Sequence, residues 1–163
     1  MQKTILFIII ICSISMKMHE KEVSKNGMLI KWNIKSSEVI FKIFAPTNGW
    51  LAIGINTKEG LKGTNLIMGH VKNSKAYVED QYIIEAGNHK RITSLGGQSM
   101  IKSYSGKENT TGTNLSISIP KDYKDKYHHS LKRGNEYYLL MAYSQEDDFG
   151  HHSIMRTSIK IIL

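Results

Sequence analysis

The chain has 163 residues, a formal charge of +8, 40% apolar residues and 9% aromatic residues. That length suits one domain that buries its core without metal or disulfide staples, and the composition is not that of a disordered chain. The charge sits on scattered lysines, with only Arg91, Arg133 and Arg156 as arginines. Nucleic-acid surfaces use Arg clusters interleaved with aromatics, so nucleic acid is excluded as a partner.

Residues 1–15 read as a secretory signal peptide. Lys3 is followed by the apolar run Ile5 to Ile11, then by Cys12, Ser13, Ile14 and Ser15, with small residues spaced for cleavage after Ser15. The run is too short for a transmembrane span, which takes about 20 residues. The expectation is an extracytoplasmic chain, secreted or periplasmic. Cys12 is the only cysteine, so the mature chain has no disulfide, thiol nucleophile or thiolate ligand. Residues 16–26 read as a polar leader, and residues 27–163 as the folded domain.

From Met28 onward, apolar runs alternate with turn residues at the spacing of an all-β chain. Met28–Ile34 and Glu38–Ala45 are the first two predicted strands, joined through Lys35-Ser36-Ser37. After the Pro46-Thr47-Asn48-Gly49 turn come Trp50–Asn56, Asn65–Val71 and Ala76–Ile84. The loop Lys72-Asn73-Ser74-Lys75 reads as a hairpin, which makes the strands on either side antiparallel neighbours. Glu85 to Gln98 shows no clear strand and reads as a long loop or irregular edge. Ser99–Tyr104 and Asn114–Ile119 are expected strands around a turn at Ser105 to Gly112. Pro120 to Arg133 is polar, with Tyr123 and Tyr127 as docking aromatics; Glu136–Ser144 and Ser153–Leu163 end the set. The expected architecture is an antiparallel two-sheet β-sandwich of about nine or ten strands.

Seven histidines invite a metal reading. The pairs His128-His129 and His151-His152 each offer one inward ligand at most, because neighbours on a strand face opposite ways. Met68 and His70 lie two apart on one predicted strand and share a face. A His/Met pair suits haem iron or copper, and Met is equally a common core filler. Glu79-Asp80 sits within a strand, so one carboxylate faces inward and needs a partner such as His152 or a backbone donor. Such a carboxylate marks either a ligand pocket or a structural hydrogen bond. Asp147-Asp148 reads as a solvated loop or a calcium site, without the spacing of a calcium loop. Trp32 and Trp50 suit either the core or a stacking platform. Asn109-Thr110-Thr111 and Asn114-Leu115-Ser116 fit the N-glycosylation pattern, which matters only in a eukaryotic secretory route. No nucleophile elbow or serine-histidine-acid order is present, so the chain is not expected to be an enzyme by itself.

Gly-Trp-Leu-Ala-Ile-Gly (49–54), Gly-Thr-Asn-Leu-Ile-Met-Gly-His-Val (63–71) and Tyr-Val-Glu-Asp-Gln-Tyr (77–82) occur in that order, followed by EYYLLMAYS and DDFGHHSIMRTSIKI. This order resembles the DOMON family, extracytoplasmic β-sandwich domains named after dopamine β-monooxygenase, across residues 27–163. The resemblance implies a pocket that holds haem or a sugar. In the haem-binding branch, which acts as b-type cytochromes, a Met and a His supply the axial ligands. Carried onto this chain, the His falls at His152 or its neighbour His151, and the Met position at Leu61 or Lys62, just before Gly63-Thr64-Asn65. Met68, or Lys62 once deprotonated, is then the second candidate for haem iron. Two expectations follow. One is an exported module that binds a small ligand, a sugar or haem b, through Trp50, Met68, His70, Asp80 and His152. The other is an electron-transfer domain with His152 as an axial ligand and a redox partner in the membrane.

Overall fold

The computed structural model describes residues 20–123 and 125–163, so the signal-peptide reading of residues 1–15 lies outside the described residues. Eleven strands form: β1 Lys21–Lys25, β2 Met28–Ile34, β3 Glu38–Ala45, β4 Leu51–Asn56, β5 Asn65–Lys72, β6 Lys75–Glu85, β7 Asn88–Arg91, β8 Ser103–Asn109, β9 Gly112–Pro120, β10 Glu136–Tyr143 and β11 Met155–Ile162. A single 3-10 turn, Ile92–Leu95, is the one helical element among the described residues. Two sheets result, in the orders β1-β2-β3-β9-β8 and β11-β10-β4-β5-β6-β7. Every pairing in both is antiparallel.

Period-two alternation builds the core between the sheets. Met28, Ile30 and Trp32 of β2, Val39, Phe41 and Ile43 of β3, and Leu115, Ile117 and Ile119 of β9 face inward from the first sheet. Leu51, Ile53, Ile55, Ile67, Leu139 and Met141 meet them from the second. Each such side chain contributes about 1.5–3 kcal/mol on burial. Trp32 is therefore core. The β5–β6 hairpin forms as its sequence predicts, with Lys72 opposite Lys75 and both Asn73 and Ser74 at positive φ, as a type I′ turn requires.

Three elements depart from expectation. The stretch read as polar leader contains β1, whose only half-buried residue is Val23. It is an edge strand paired to β2, so its side chains carry almost no hydrophobic signal. β7 is a second short edge strand in the segment read as a loop, and its NHKR sequence is equally polar. β8 begins four residues later than predicted and runs on to Asn109. Its inward side includes Gly106, where any Cβ would meet Leu115, Val71 and Ala76.

Candidate functional site

The six-stranded sheet has an outer face that departs from ordinary sheet patterning. A sheet packed on one side normally shows polar residues on the other. Here the register lines up Arg156, Ala142, Ala52, Met68 and Glu79 in one cross-strand row. The next row is Ser158, Leu140, Gly54, Leu66, Gln81 and Arg91. The middle of both rows is apolar and the ends are polar. Trp50, Ala52, Leu66, Met68, Ile83, Leu140 and Ala142 form a second hydrophobic cluster, separate from the sandwich core, with Leu61 and Phe149 packed onto it. Met68 is only 2% exposed and Trp50 4%. The indole N–H of Trp50 is buried without a hydrogen-bond partner among the described residues, the kind of orphaned donor that protein interiors rarely keep.

Two loops close over this face. Asn56 shapes the first: its side-chain amide donates to the Lys62 carbonyl and the Thr64 hydroxyl, each at 3.1 Å, and its Oδ1 accepts from the Thr57 N–H at 2.8 Å. That clasp carries Leu61. His129 Nε2 lies 3.0 Å from the Gly63 carbonyl in the same loop. The second loop, residues 144–154, is fused to the turn before β4. Trp50 N–H donates to the Glu146 carbonyl, Ser144 N–H donates to the Trp50 carbonyl, and Thr47 Oγ1 donates to the Ser144 carbonyl. A Cβ on Gly49 would strike the Gln145–Glu146 backbone, so the close approach requires glycine there.

Beside the apolar patch, on the same face, lies a polar cleft of about 530 Å³ between β6, β7 and the second loop. His70 stacks on Tyr77 with ring centroids 5.0 Å apart and meets Phe149 edge-on at 5.2 Å. Its Nδ1 is 3.2 Å from Asp147 Oδ1. Across the cleft a chain of side chains is tied together: Gln81 Nε2 donates to Glu79 at 2.8 Å, Arg91 donates to the other oxygen of Glu79, and Gln81 Oε1 pairs with His89 Nδ1. Burial, then the nearby Lys90 charge, pulls the His89 pKa below the ordinary imidazole value, outweighing Glu79. His89 is thus neutral at pH 7. The cleft offers exposed aromatic surface, one guanidinium, carboxylates and a neutral imidazole, with both charge signs represented.

The proposed ligand set divides. Trp50, Met68 and His70 do share the outer face. Asp80 does not: it stands opposite Ile67 and points into the sandwich interior. There it accepts from Asn65 Nδ2 at 2.7 Å and from the Met100 N–H at 2.7 Å, and His128 Nε2 is 3.1 Å away. The partner of Asp80 is His128 rather than His152, because residues 125–128 fold back beneath β6 while His152 lies exposed in the loop before β11. His128 has a fully buried side chain, with Nδ1 2.8 Å from Asp125 and the Tyr123 ring edge-on at 4.8 Å. Burial lowers its pKa, but hydrogen bonds and charge from Asp80 and then Asp125 outweigh burial and leave it raised. Asp80 is therefore a structural anchor. The Glu79-Asp80 pair signals the inward carboxylate and the adjacent His128-His129 signals one inward imidazole, but neither says that the two meet.

The donors near the outer face do not fit a haem iron held by two axial ligands. Leu61 has no donor atom, and the Met68 thioether is packed into the sheet surface. Lys62 is exposed, with its carbonyl held by Asn56. His152 is exposed, and its carbonyl accepts from Ser144 Oγ at 3.0 Å. Asp147 and Asp148 do not build a calcium cage: Asp147 faces His70 and Lys72, and Asp148 accepts from the Gly150 N–H. Among the described residues, no three His, Cys, Asp or Glu side chains converge as a metal site.

A two-sheet antiparallel sandwich with two loops over one outer face is a β-sandwich domain. The DOMON domain family matches residues 24–144, and the chain belongs to that family. A curated relative, MOXD1 homolog 2 of Drosophila melanogaster, is 25% identical over 118 residues. That match takes in 72% of this chain and 15% of the relative, so the chain spans only a small part of that protein's length. Two solved structures share the fold. The cytochrome b domain of pyranose dehydrogenase from Coprinopsis cinerea superposes with a TM-score of 0.62 at 9% identity, covering 83% of this chain and 76% of that one. The cytochrome domain of Myriococcum thermophilum cellobiose dehydrogenase gives 0.61 at 10% identity, covering 88% and 81%.

Proposed function

We infer that the chain is an extracytoplasmic DOMON module that binds a small neutral, polyhydroxylated ligand, a sugar, on the outer face of its six-stranded sheet. The observation that supports this reading is the cleft beside the apolar patch. Tyr77, exposed and backed by the stacked His70 ring, offers an aromatic surface on which a pyranose face packs, and Glu79, Gln81, His89 and Arg91 offer donors and acceptors for its hydroxyls. A few polar groups beside an aromatic wall is the usual composition of a small-molecule site. The mixture of charge signs favours a neutral ligand over an anion. No helix of the described residues is long and apolar enough to cross a membrane. The role is binding rather than catalysis.

The test is a thermal-shift screen of the purified protein against mono- and oligosaccharides, followed by calorimetric titration of any hit. Tyr77→Ala and Arg91→Ala should each weaken binding about tenfold or more, while the apo protein melts as before. Silence across the whole panel would sink the sugar reading.

A b-type cytochrome is the second reading. It is supported by the apolar outer face bearing Met68, by His152 in the loop that closes over that face, and by the fold shared with the two cytochrome domains. Leu61 argues against it. Absorbance after incubation with haemin and desalting separates the readings: a Soret band lost in His152→Ala supports haem, and a colourless protein removes it.

A further inference from the structure

We propose that Asn109 is an N-glycan attachment site and that its glycan lies over the outer face of the five-stranded sheet. This rests on the export reading, by a eukaryotic secretory route, and concerns the face opposite the sugar cleft. Two acceptor triplets stand close together in sequence, Asn109-Thr110-Thr111 and Asn114-Leu115-Ser116, and the fold treats them differently. Asn109 ends β8 at the tip of a hairpin, opposite Gly112 across the two-residue Thr110-Thr111 turn, and is exposed. Its Oδ1 accepts from the Thr111 N–H at 2.9 Å and from the Thr111 hydroxyl at 2.7 Å. The third residue of the triplet thus orients the acceptor amide at an open edge of the domain. Asn114 also points outward, but from within β9, laddered between Phe44 of β3 and Lys107 of β8. Acceptor triplets belong on surface loops, which favours Asn109.

The same face carries an open cleft of about 500 Å³, floored by Leu29 and Phe44, with Asn109 on its rim. The lysines there do not make it an anion site. Of the three that line it, Lys31 is 2.8 Å from Glu22 and Lys42 is 2.8 Å from Glu20, which leaves Lys107 as the one without a carboxylate partner among the described residues. A nearly charge-balanced surface with an apolar floor suits a neutral occupant, and the first sugars of a glycan on Asn109 are within reach of it. The bond-forming step involves no redox change. The Asn109 amide nitrogen attacks the anomeric carbon of a lipid-linked oligosaccharide. A C–N bond forms, the C–O bond to the lipid pyrophosphate breaks, the pyrophosphate leaves with the electron pair, and the amide proton passes to a base of the transferase.

The experiment expresses the full chain in a eukaryotic secretory host, once with its own residues 1–15 and once behind an unrelated signal sequence. Intact mass of the secreted protein is read before and after peptide-N-glycosidase, which converts a glycosylated asparagine to aspartate. The expected result is one glycan, with aspartate appearing at position 109. Asn109→Gln and Thr111→Ala should abolish it, while Thr111→Ser and Asn114→Gln should retain it. Secreted protein of unmodified mass, or a glycan that survives Thr111→Ala and vanishes in Asn114→Gln, overturns the assignment. Glycosylated protein obtained only behind the unrelated signal would refute the export reading and leave the site standing. Deglycosylation of the folded protein should increase binding of an apolar dye, and Phe44→Ser should remove that increase. Unchanged dye binding would refute the placement over this face.

Discussion

Asp80 would be a liability inside the sandwich if it stood alone, since an unpaired buried charge costs several kcal/mol. It is tolerated because donors arrive from three parts of the chain: Asn65 on β5, Met100 before β8, and His128 in the loop after β9. His128 is held in turn by Asp125. Asp80→Ala leaves the imidazole buried with one partner fewer and should lower unfolding stability by about 3–5 kcal/mol, read from urea denaturation. The triad also sets a pH dependence. The folded-state pKa of His128 is raised, so its contribution is fully present below the ordinary imidazole value of about 6.5 and is lost as pH climbs from there through the raised value. Asp125 behaves oppositely. Burial would raise its pKa, but the Tyr127 N–H, then His128, outweigh burial and leave it lowered, so its contribution is present above about pH 3.9 and lost as pH falls through the lowered value. The triad's own contribution should be highest between about pH 4 and 6.5 and decline toward alkaline pH, read as the difference in melting temperature between the natural chain and His128→Gln, because the lowered pKa of His89 acts in the opposite sense below about 6.5. A His128→Gln variant that keeps the alkaline decline would show that another group causes it.

The elements meet at distances that a few small residues make possible. On β5, a Cβ at Gly69 would come within 2.5 Å of the Leu115 side chain across the sandwich and 3.1 Å of the Tyr77 carbonyl oxygen. The carbonyl belongs to the β5–β6 ladder and cannot step aside, so Gly69→Ala should overpack the core and destabilise by about 1–3 kcal/mol, visible as a lower guanidinium midpoint. An unchanged midpoint would mean that the sheets have room to separate. The same feature explains what the sequence concealed. Strands such as Met28–Ile34 and Glu38–Ala45 announce themselves because alternate side chains are large and apolar. β8 fills its inward side at Gly106 with a neighbour's Leu115, so the apolar signal lies on another strand. β1 and β7 are edge strands whose pairing is made by backbone alone, and side-chain patterning cannot report it.

At the scale of the molecule, the two sheets leave two outer faces, and a ligand site depends on which side chains reach the same one. Met68 and His70 were legible as partners because they sit two apart on one strand. Whether Asp80 joined them depended on the register between β5 and β6, which sets Asp80 against Ile67 and turns it to the interior. One residue of slip would have exchanged the faces, and no feature of a single sequence measures that slip. Leu61 is the converse case: its position in the covering loop is legible, and its side chain decides the chemistry. The patch beneath it is apolar and already closed by Leu61 and Phe149, so the missing element for haem is a donor rather than a surface. Leu61→Met is close to volume-conserving, so it should cost less than about 1.5 kcal/mol in stability. It places a thioether in the loop that covers Trp50 and Met68, while the opposing loop carries His152. On the sugar reading, the natural chain mixed with haemin and then desalted shows no Soret band, whereas Leu61→Met retains one that a second change, His152→Ala, removes. A band in the natural chain would move the assignment to the cytochrome reading. No band in either would mean that the face does not open for a porphyrin and that the polar cleft beside it is where a ligand binds.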